Sequence, residues 1–312
     1  MIEYYKTDDR KVYRQEALSP GQWIKMTAPT PEESWKIAFG LDIDVNDIRA
    51  AIDREEKTRI ELFDNYTLIV IDVPTTEQRH DRDCYITIPL GVILMKDRVI
   101  TICSEDTPIL HRFQEGRVQG FSTKKQLRFF YQIMFVAAGQ YQLDLRSIDK
   151  RRREIEERIH STDEEMLIEL HELESTLVYF ATSLRENGNV LSRLTHYDRI
   201  EQFPDDTDLL NDVIVENQQA IEMTEIYQSI INGTRELMST ILDSRLSNVM
   251  KILTSVTVIL AIPTVISGIY GMNLNGRGMP LSSSVYGFGV IVLIILIVCI
   301  LMIPLLKKLK ML

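Results

Sequence analysis

Cysteine is scarce in this chain: three among 312 residues, at Cys84, Cys103 and Cys299. None stands at metal-ligand spacing from another, so neither a disulfide framework nor a thiolate zinc site is expected, and a reducing compartment suits them. Histidine is nearly as sparse. His80, His111, His160, His171 and His196 are scattered, without zinc spacing and without a nucleophile motif. No catalytic constellation follows, and the chain reads as a non-enzyme without an organic cofactor. Net positive charge is missing as well. The formal net charge is −10, which excludes a nucleic-acid footprint as the default. The start, Met1 to Arg10, is charged and lacks an apolar h-region. No signal peptide is expected, and the N-terminal part should stay where it is made.

The most telling absence is local. Charge disappears from Ile252 to Tyr270 and again from Val285 to Leu306. A bilayer span needs about 20 predominantly apolar residues, and both runs meet that length. The chain is therefore expected to live in a lipid bilayer, with spans at 252–270 and 285–306 and a loop at 271–284. Arg245 and Lys251 precede the first span, and Lys307, Lys308 and Lys310 follow the second. The loop holds only Arg277. Basic residues stay on the cytoplasmic side. Both termini should be cytoplasmic, the loop external and the membrane the plasma (inner) membrane, with 307–312 a basic cytoplasmic tail.

Upstream, residues 1–123 read as a mixed α/β cytoplasmic domain. Ile60–Phe63 and Tyr66–Val73 flank Asp64-Asn65, and Tyr85–Met95 and Val99–Cys103 flank Lys96-Asp97-Arg98. Both are hairpin signals. Thr30-Pro31-Glu32-Glu33 opens a helix, with Pro at the first position and acids in the first turn, and Asp44 opens another. From Lys124 the apolar period becomes 3.6, which predicts helices over 124–160, 163–200 and 207–270, the middle one open to interruption at Asn187-Gly188-Asn189. Residues 124–251 form a long-helix stalk on this reading. An acidic strip at Asp163, Glu164, Glu165, Glu169, Glu172 and Glu174 is either plain helix surface or a cation attractant. The last helix would run for roughly 90 Å at about 1.5 Å per residue, linking cytoplasm to outer surface.

That helix carries a polar seam. One heptad position reads Glu236, Asp243, Met250, Thr257, Thr264, Gly271; the position four residues on reads Thr240, Ser247, Thr254, Ala261, Gly268. Spacings of four and three put all of them on one face. A coiled coil would place Leu and Ile there. Small residues let membrane helices pack closely, with hydroxyls as glue, and that reading stays open. It does not account for the continuation into Ser247, Asp243 and Glu236, because carboxylates near a membrane need water or a cation. The competing reading is a water-lined pore. Two spans cannot enclose one, so several copies must surround an axis. Gly271-Met272-Asn273, just past the helix, is by its chemistry alone an ordinary loop turn; on the pore reading Asn273 would add a neutral ring suited to Mg²⁺, which gives up its waters reluctantly.

The residues Val249-Met250-Lys251-Ile252-Leu253-Thr254, Pro263 and Gly268-Ile269-Tyr270-Gly271-Met272-Asn273, with the second span and its Lys307-Lys308-Leu309-Lys310 end, resemble the CorA family of magnesium/cobalt transporters. Tyr179–Leu184 with Asn187 and Leu191 looks like the family's cytoplasmic helices, and Trp23-Ile24 with Pro29–Glu33 like its start. The resemblance implies a homopentamer: an α+β cytoplasmic domain with long helices, two C-terminal transmembrane helices, a cytoplasmic funnel and a central pore. It implies a channel-like transporter of Mg²⁺, with Co²⁺ and Ni²⁺ as further ions. Gly271, Met272 and Asn273 would form the selectivity filter, with Asn273 contacting hydrated Mg²⁺. Glu236, Thr240, Asp243, Ser247, Thr254, Thr257, Ala261 and Thr264 would line the pore, Ser247 standing where the family has Asn. Met250 and Leu253 would be a hydrophobic gate. Asp212 matches an acid that binds regulatory intracellular Mg²⁺ between subunits. The loop departs from the family: after Met279-Pro280 it has Leu281 instead of Glu, and it adds Arg277. Efflux of a divalent metal, or a membrane-anchored sensor without a pore, are the alternatives.

Overall fold

The computed structural model describes residues 1–9, 11–79, 82–158, 164–195, 204–272, 280–281 and 284–309. The chain divides into two compact units, Met1–Arg235 and Glu236–Leu312.

The first unit is built on one seven-stranded sheet. Its strands are β1 (Ile2–Asp8), β2 (Lys11–Gln15), β3 (Gln22–Thr27), β4 (Arg59–Leu62), β5 (Tyr66–Arg79), β6 (Arg82–Met95) and β7 (Arg98–Cys103). They lie in the order β2-β1-β3-β7-β6-β5-β4. All neighbours are antiparallel except β3 and β7, which run parallel from Gln22↔Arg98 to Thr27↔Cys103. Both predicted hairpins are present, β4–β5 across Asp64-Asn65 and β6–β7 across Lys96-Asp97.

Alternation along the strands explains the layering, because successive side chains point to opposite faces. Ile24, Met26, Leu68, Val70, Ile93, Ile100 and Ile102 belong to one buried cluster with Ile37 and Ile48. Those two come from α1 (Pro31–Leu41) and α2 (Val45–Ala50). Trp23, Ile69, Ile71, Leu90, Val92 and Val99 belong to the other, with Phe113, Phe129, Ile133, Leu191 and Val213. These come from α3 (Pro108–Gln114), α4 (Gln126–Glu157), α5 (Glu164–Leu194) and α6 (Pro204–Tyr270). Both faces are thus covered by helices. Both expected helix starts hold. Thr30 and Glu33 form a reciprocal capping box on α1, Pro31 is at its start, and the Asp44 side chain caps α2 by accepting from the Asn46 N–H at 2.8 Å.

The β5–β6 hairpin extends beyond its neighbours: β4 pairs β5 only up to Val70, and β7 pairs β6 only from Leu90. Past that point it is a two-stranded arm carrying Pro74 and Pro89, and Pro89 faces Asp72. Proline has no N–H to give to a ladder. The Asn187 amide takes the edge of β5 that β4 leaves open beyond Val70. It accepts from the Asp72 N–H at 2.9 Å and donates to the Asp72 carbonyl at 2.7 Å. Tyr141 donates to the same carbonyl, Thr176 to that of Tyr85. Helices α4 and α5 therefore satisfy the arm's orphaned backbone groups.

The open question of an interruption in the middle helix is answered here. α5 runs unbroken through Asn187-Gly188-Asn189. The Asn187 side chain is committed to the sheet, and Gly188 is where α6 comes close: a Cβ there would meet the Asn217 amide at 3.3 Å. Members of the acidic strip are held in ion pairs. Glu169 is buried and receives Arg82, Arg151 and Arg158 at 3.5, 3.8 and 3.5 Å, while Glu174 pairs with Arg235 at 3.2 Å. Asp163 lies outside the described residues.

α6 is a single helix of 67 residues with Pro263 inside it and no break at Gly233. α7 (Gly287–Lys308) is the second long apolar helix, and both helices are long and apolar enough to cross a membrane.

Candidate ion pathway on the long helix

The seam is laid out as the heptads require. Glu236, Thr240, Asp243, Ser247, Met250, Leu253, Thr254, Thr257, Ala261, Thr264, Gly268 and Gly271 are all exposed in the single chain. The covered positions of α6 within the second unit lie elsewhere. Ser255 is buried, and Ile259, Ile266 and Tyr270 are half-buried. At about 100° per residue that covered stripe lies roughly opposite the polar seam. It is the side that meets α7, where the Cys299 thiol lies 3.9 Å from the Ile259 carbonyl oxygen. One face of α6 is occupied by the chain's own second span, and the polar face is left for something else.

The flanks of both helices are apolar and uncovered. Leu260 and Val265 on α6, and Phe288, Ile300 and Leu301 on α7, are 60% exposed or more. Surface of this kind is stable against lipid tails or a neighbouring apolar helix, not against water.

Three seam threonines have a defined hydroxyl orientation. Thr240, Thr257 and Thr264 donate to the carbonyls of Glu236, Leu253 and Leu260 at 2.9, 2.8 and 2.9 Å. The hydroxyl proton is spent on the preceding turn, as threonine in a helix does. What remains outward is an oxygen with free lone pairs. Such an oxygen accepts hydrogen bonds from the water shell of a cation and cannot repel the cation with a proton.

The carboxylates of Glu236 and Asp243 are exposed, and no ion pair or hydrogen bond reaches either side chain among the described residues. Asp212 is likewise exposed on α6, in the first unit, with no partner among the described residues. No three His, Cys, Asp or Glu side chains converge into a metal-holding group among the described residues. Met250 and Leu253 are 52% and 58% exposed, one turn apart. Gly271 and Met272 close the helix, the Gly271 N–H donating to the Ser267 carbonyl at 2.8 Å. Asn273 lies outside the described residues, as do His80, His160 and His196. The other two histidines sit beside carboxylates, His111 at 2.7 Å from Asp106 and His171 at 4.0 Å from Glu174.

At the loop that follows, sequence reasoning has Tyr270 only as part of the family motif and does not single out Gly287. Tyr270 and Gly287 both touch its returning limb, at Pro280 and Leu281. An aromatic at a span end and a glycine at a helix start carry no distinctive signal by themselves.

The chain resembles known proteins over most of its length. The family model described as "CorA-like Mg2+ transporter protein" matches residues 20–308. The cobalt/magnesium transport protein CorA of Methanocaldococcus jannaschii is 27% identical over 285 residues, covering 88% of this chain and 86% of that protein. The protein of the same name from Thermotoga maritima is 25% identical over 317 residues, covering 99% and 88%. Among solved structures, the complete CorA magnesium transporter from Methanocaldococcus jannaschii superposes with a TM-score of 0.84 at 23% identity, over 98% of this chain and 96% of that one.

Proposed function

From the chain's membership in the CorA-like Mg²⁺ transporter family, we propose that it passes hydrated Mg²⁺ through a pore enclosed by five copies of itself. The family assignment makes it a divalent-cation transporter rather than an enzyme. The ion, the stoichiometry, the plasma-membrane topology with cytoplasmic termini and the gating are the proposal. The observation that carries it is the exposed polar seam of α6 on the side away from α7.

The path works as follows. Asn273 at the external mouth offers a neutral amide ring, which can hydrogen-bond the water shell of Mg²⁺ without stripping it. Thr264, Thr257 and Thr254 continue a hydroxyl lining toward the inner end, past Ala261. Met250 and Leu253 form an apolar ring, and such a ring stops ions by dewetting. Ser247, Asp243, Thr240 and Glu236 lie beyond it, where carboxylates concentrate cations. Intracellular Mg²⁺ bound at Asp212 between copies relieves like-charge repulsion and holds the closed arrangement. An ion shifts such an equilibrium only by its differential affinity for the two states.

Reconstitution of the purified chain into liposomes tests the proposal. Mg²⁺ uptake is expected in the wild type, and Asn273→Ala should abolish it or cut it strongly with the assembly intact. Undiminished flux in that variant removes Asn273 as the filter; native mass measurement showing a monomer or dimer removes the pore.

A further inference from the structure

Contacts among residues 270–272, 280–281 and 284–287 hold the base of the loop between the two spans. The Tyr270 hydroxyl, on the last residue of α6, donates to the Pro280 carbonyl at 3.1 Å. The next residue, Leu281, has φ +63°, a left-handed conformation that a branched side chain seldom adopts. Its carbonyl accepts from the Ser284 N–H at 3.2 Å. The same carbonyl oxygen presses on Gly287, where a Cβ would stand only 2.2 Å away. Gly287 is buried and opens α7. The returning limb of the loop is thus held from two sides, by a hydroxyl at the end of one span and by a side-chain-free position at the start of the other.

Two features separate this from ordinary packing. A tyrosine serving only as an interfacial anchor directs its hydroxyl to water and headgroups. Tyr270 instead directs it to a carbonyl ten residues on, across the loop that begins with Gly271 and Met272. And a non-glycine residue at positive φ persists only where its surroundings over-determine it. Leu281 is over-determined by Ser284 and Gly287.

We infer that Tyr270 and Gly287 form a clasp closing the base of the external loop, which makes Tyr270 a positioning residue for ion selection. The inference rests on the pore reading above. Gly271, Met272 and Asn273 follow Tyr270 directly in the chain, so the limb that bears them has one end in α6 and its return tied to the same tyrosine. A ring that holds a hydrated ion by hydrogen bonds depends on where its members stand. Loosening the clasp should therefore weaken ion capture while leaving the conduction path and the assembly in place.

The test uses the full chain in liposomes and in detergent. Tyr270→Phe removes only the hydroxyl, Gly287→Ala drives a methyl against the Leu281 carbonyl, and Tyr286→Phe serves as a control, since Tyr286 is 80% exposed. Three quantities are measured: Mg²⁺ uptake against external Mg²⁺, assembly size by native mass measurement, and hydrogen exchange of the 271–284 peptide. Tyr270→Phe should raise half-saturating Mg²⁺ about five-fold, the factor that one neutral hydrogen bond supports. Its maximal rate and assembly should match the wild type, and exchange of the loop peptide should accelerate. Gly287→Ala should move both readouts the same way, and Tyr286→Phe neither. Unchanged exchange in Tyr270→Phe overturns the clasp. Faster exchange with unchanged half-saturation overturns the positioning role. A wild type that passes no Mg²⁺ overturns the transport reading instead, and the exchange comparison still decides the clasp.

Discussion

Asp144 illustrates what single residues contribute. It sits on α4, 7% exposed, and its one partner among the described residues is the Gln140 amide at 2.9 Å. Burial without a cation pushes its carboxyl up to about 7, and the Gln140 hydrogen bond only partly opposes this. In the unfolded chain the carboxyl titrates near about 3.9. The folded state therefore holds a proton that the unfolded state has lost across that interval, and stability falls as pH rises. The contribution is complete below about 3.9 and gone above about 7. Asp144→Asn keeps the shape without the charge. Its thermal midpoint should exceed that of the wild type by little at pH 5 and by clearly more at pH 8; an equal gap at both would show that Asp144 does not titrate there. Asp72 is raised by burial in the same direction, but the Ser183 hydroxyl, donating at 2.6 Å, holds part of the shift back. Neither carboxyl could be picked out in advance, because an aspartate in a helix or strand reads alike whether it faces solvent or core.

At the scale of elements, the β5–β6 arm and α5 depend on each other. The arm lacks a third strand beyond Val70 and Leu90, and a two-stranded ribbon is marginal in water. Asn187 closes the edge that β4 leaves open, with two hydrogen bonds to one residue, the N–H and the carbonyl of Asp72. Asn187→Ala would leave a buried N–H without its partner, which costs about 1–3 kcal/mol, and weaken the hold on the carbonyl as well. A fall in thermal midpoint is expected, with hydrogen exchange accelerating in β5 and α5 together. Loss confined to α5 would mean that the arm stands alone. The sequence left this point open, since Asn-Gly-Asn favours a turn by local chemistry while the surrounding period favours a helix. Tertiary hydrogen bonds overrode the turn propensity. The helix starts were legible because capping is local: Thr30 and Glu33 find each other within one turn.

On the scale of the whole molecule, the seam of α6 and its gate make two further predictions. Met250 interrupts an otherwise polar or small face. If a Met ring excludes water, Met250→Ser should let Mg²⁺ leak with millimolar Mg²⁺ on the cytoplasmic side, where the wild type is closed. If Met250 only fills space, which flexible Met does well, the variant should lose stability and stay closed. A correctly assembled variant that shows no leak would sink the gate. Asp212→Ala should weaken inhibition of currents by internal Mg²⁺, and an unchanged inhibition curve would remove Asp212 from regulation.

What the sequence determined by itself is the one-dimensional part: two uncharged runs of membrane length, capped helix starts, two hairpins and a polar face at heptad spacing. Each follows from composition or from neighbours within about one turn, so each is written locally. Only the tertiary structure decided which side of α6 the second span takes, leaving the polar seam free. Only it spent the Glu169 carboxylate on three arginines and turned Asn187 into a sheet partner. It also joined Tyr270 to Pro280 across the loop. The reason is the same in each case: these contacts link residues far apart along the chain, and a side chain's local surroundings carry no record of the partner that folding brings to it.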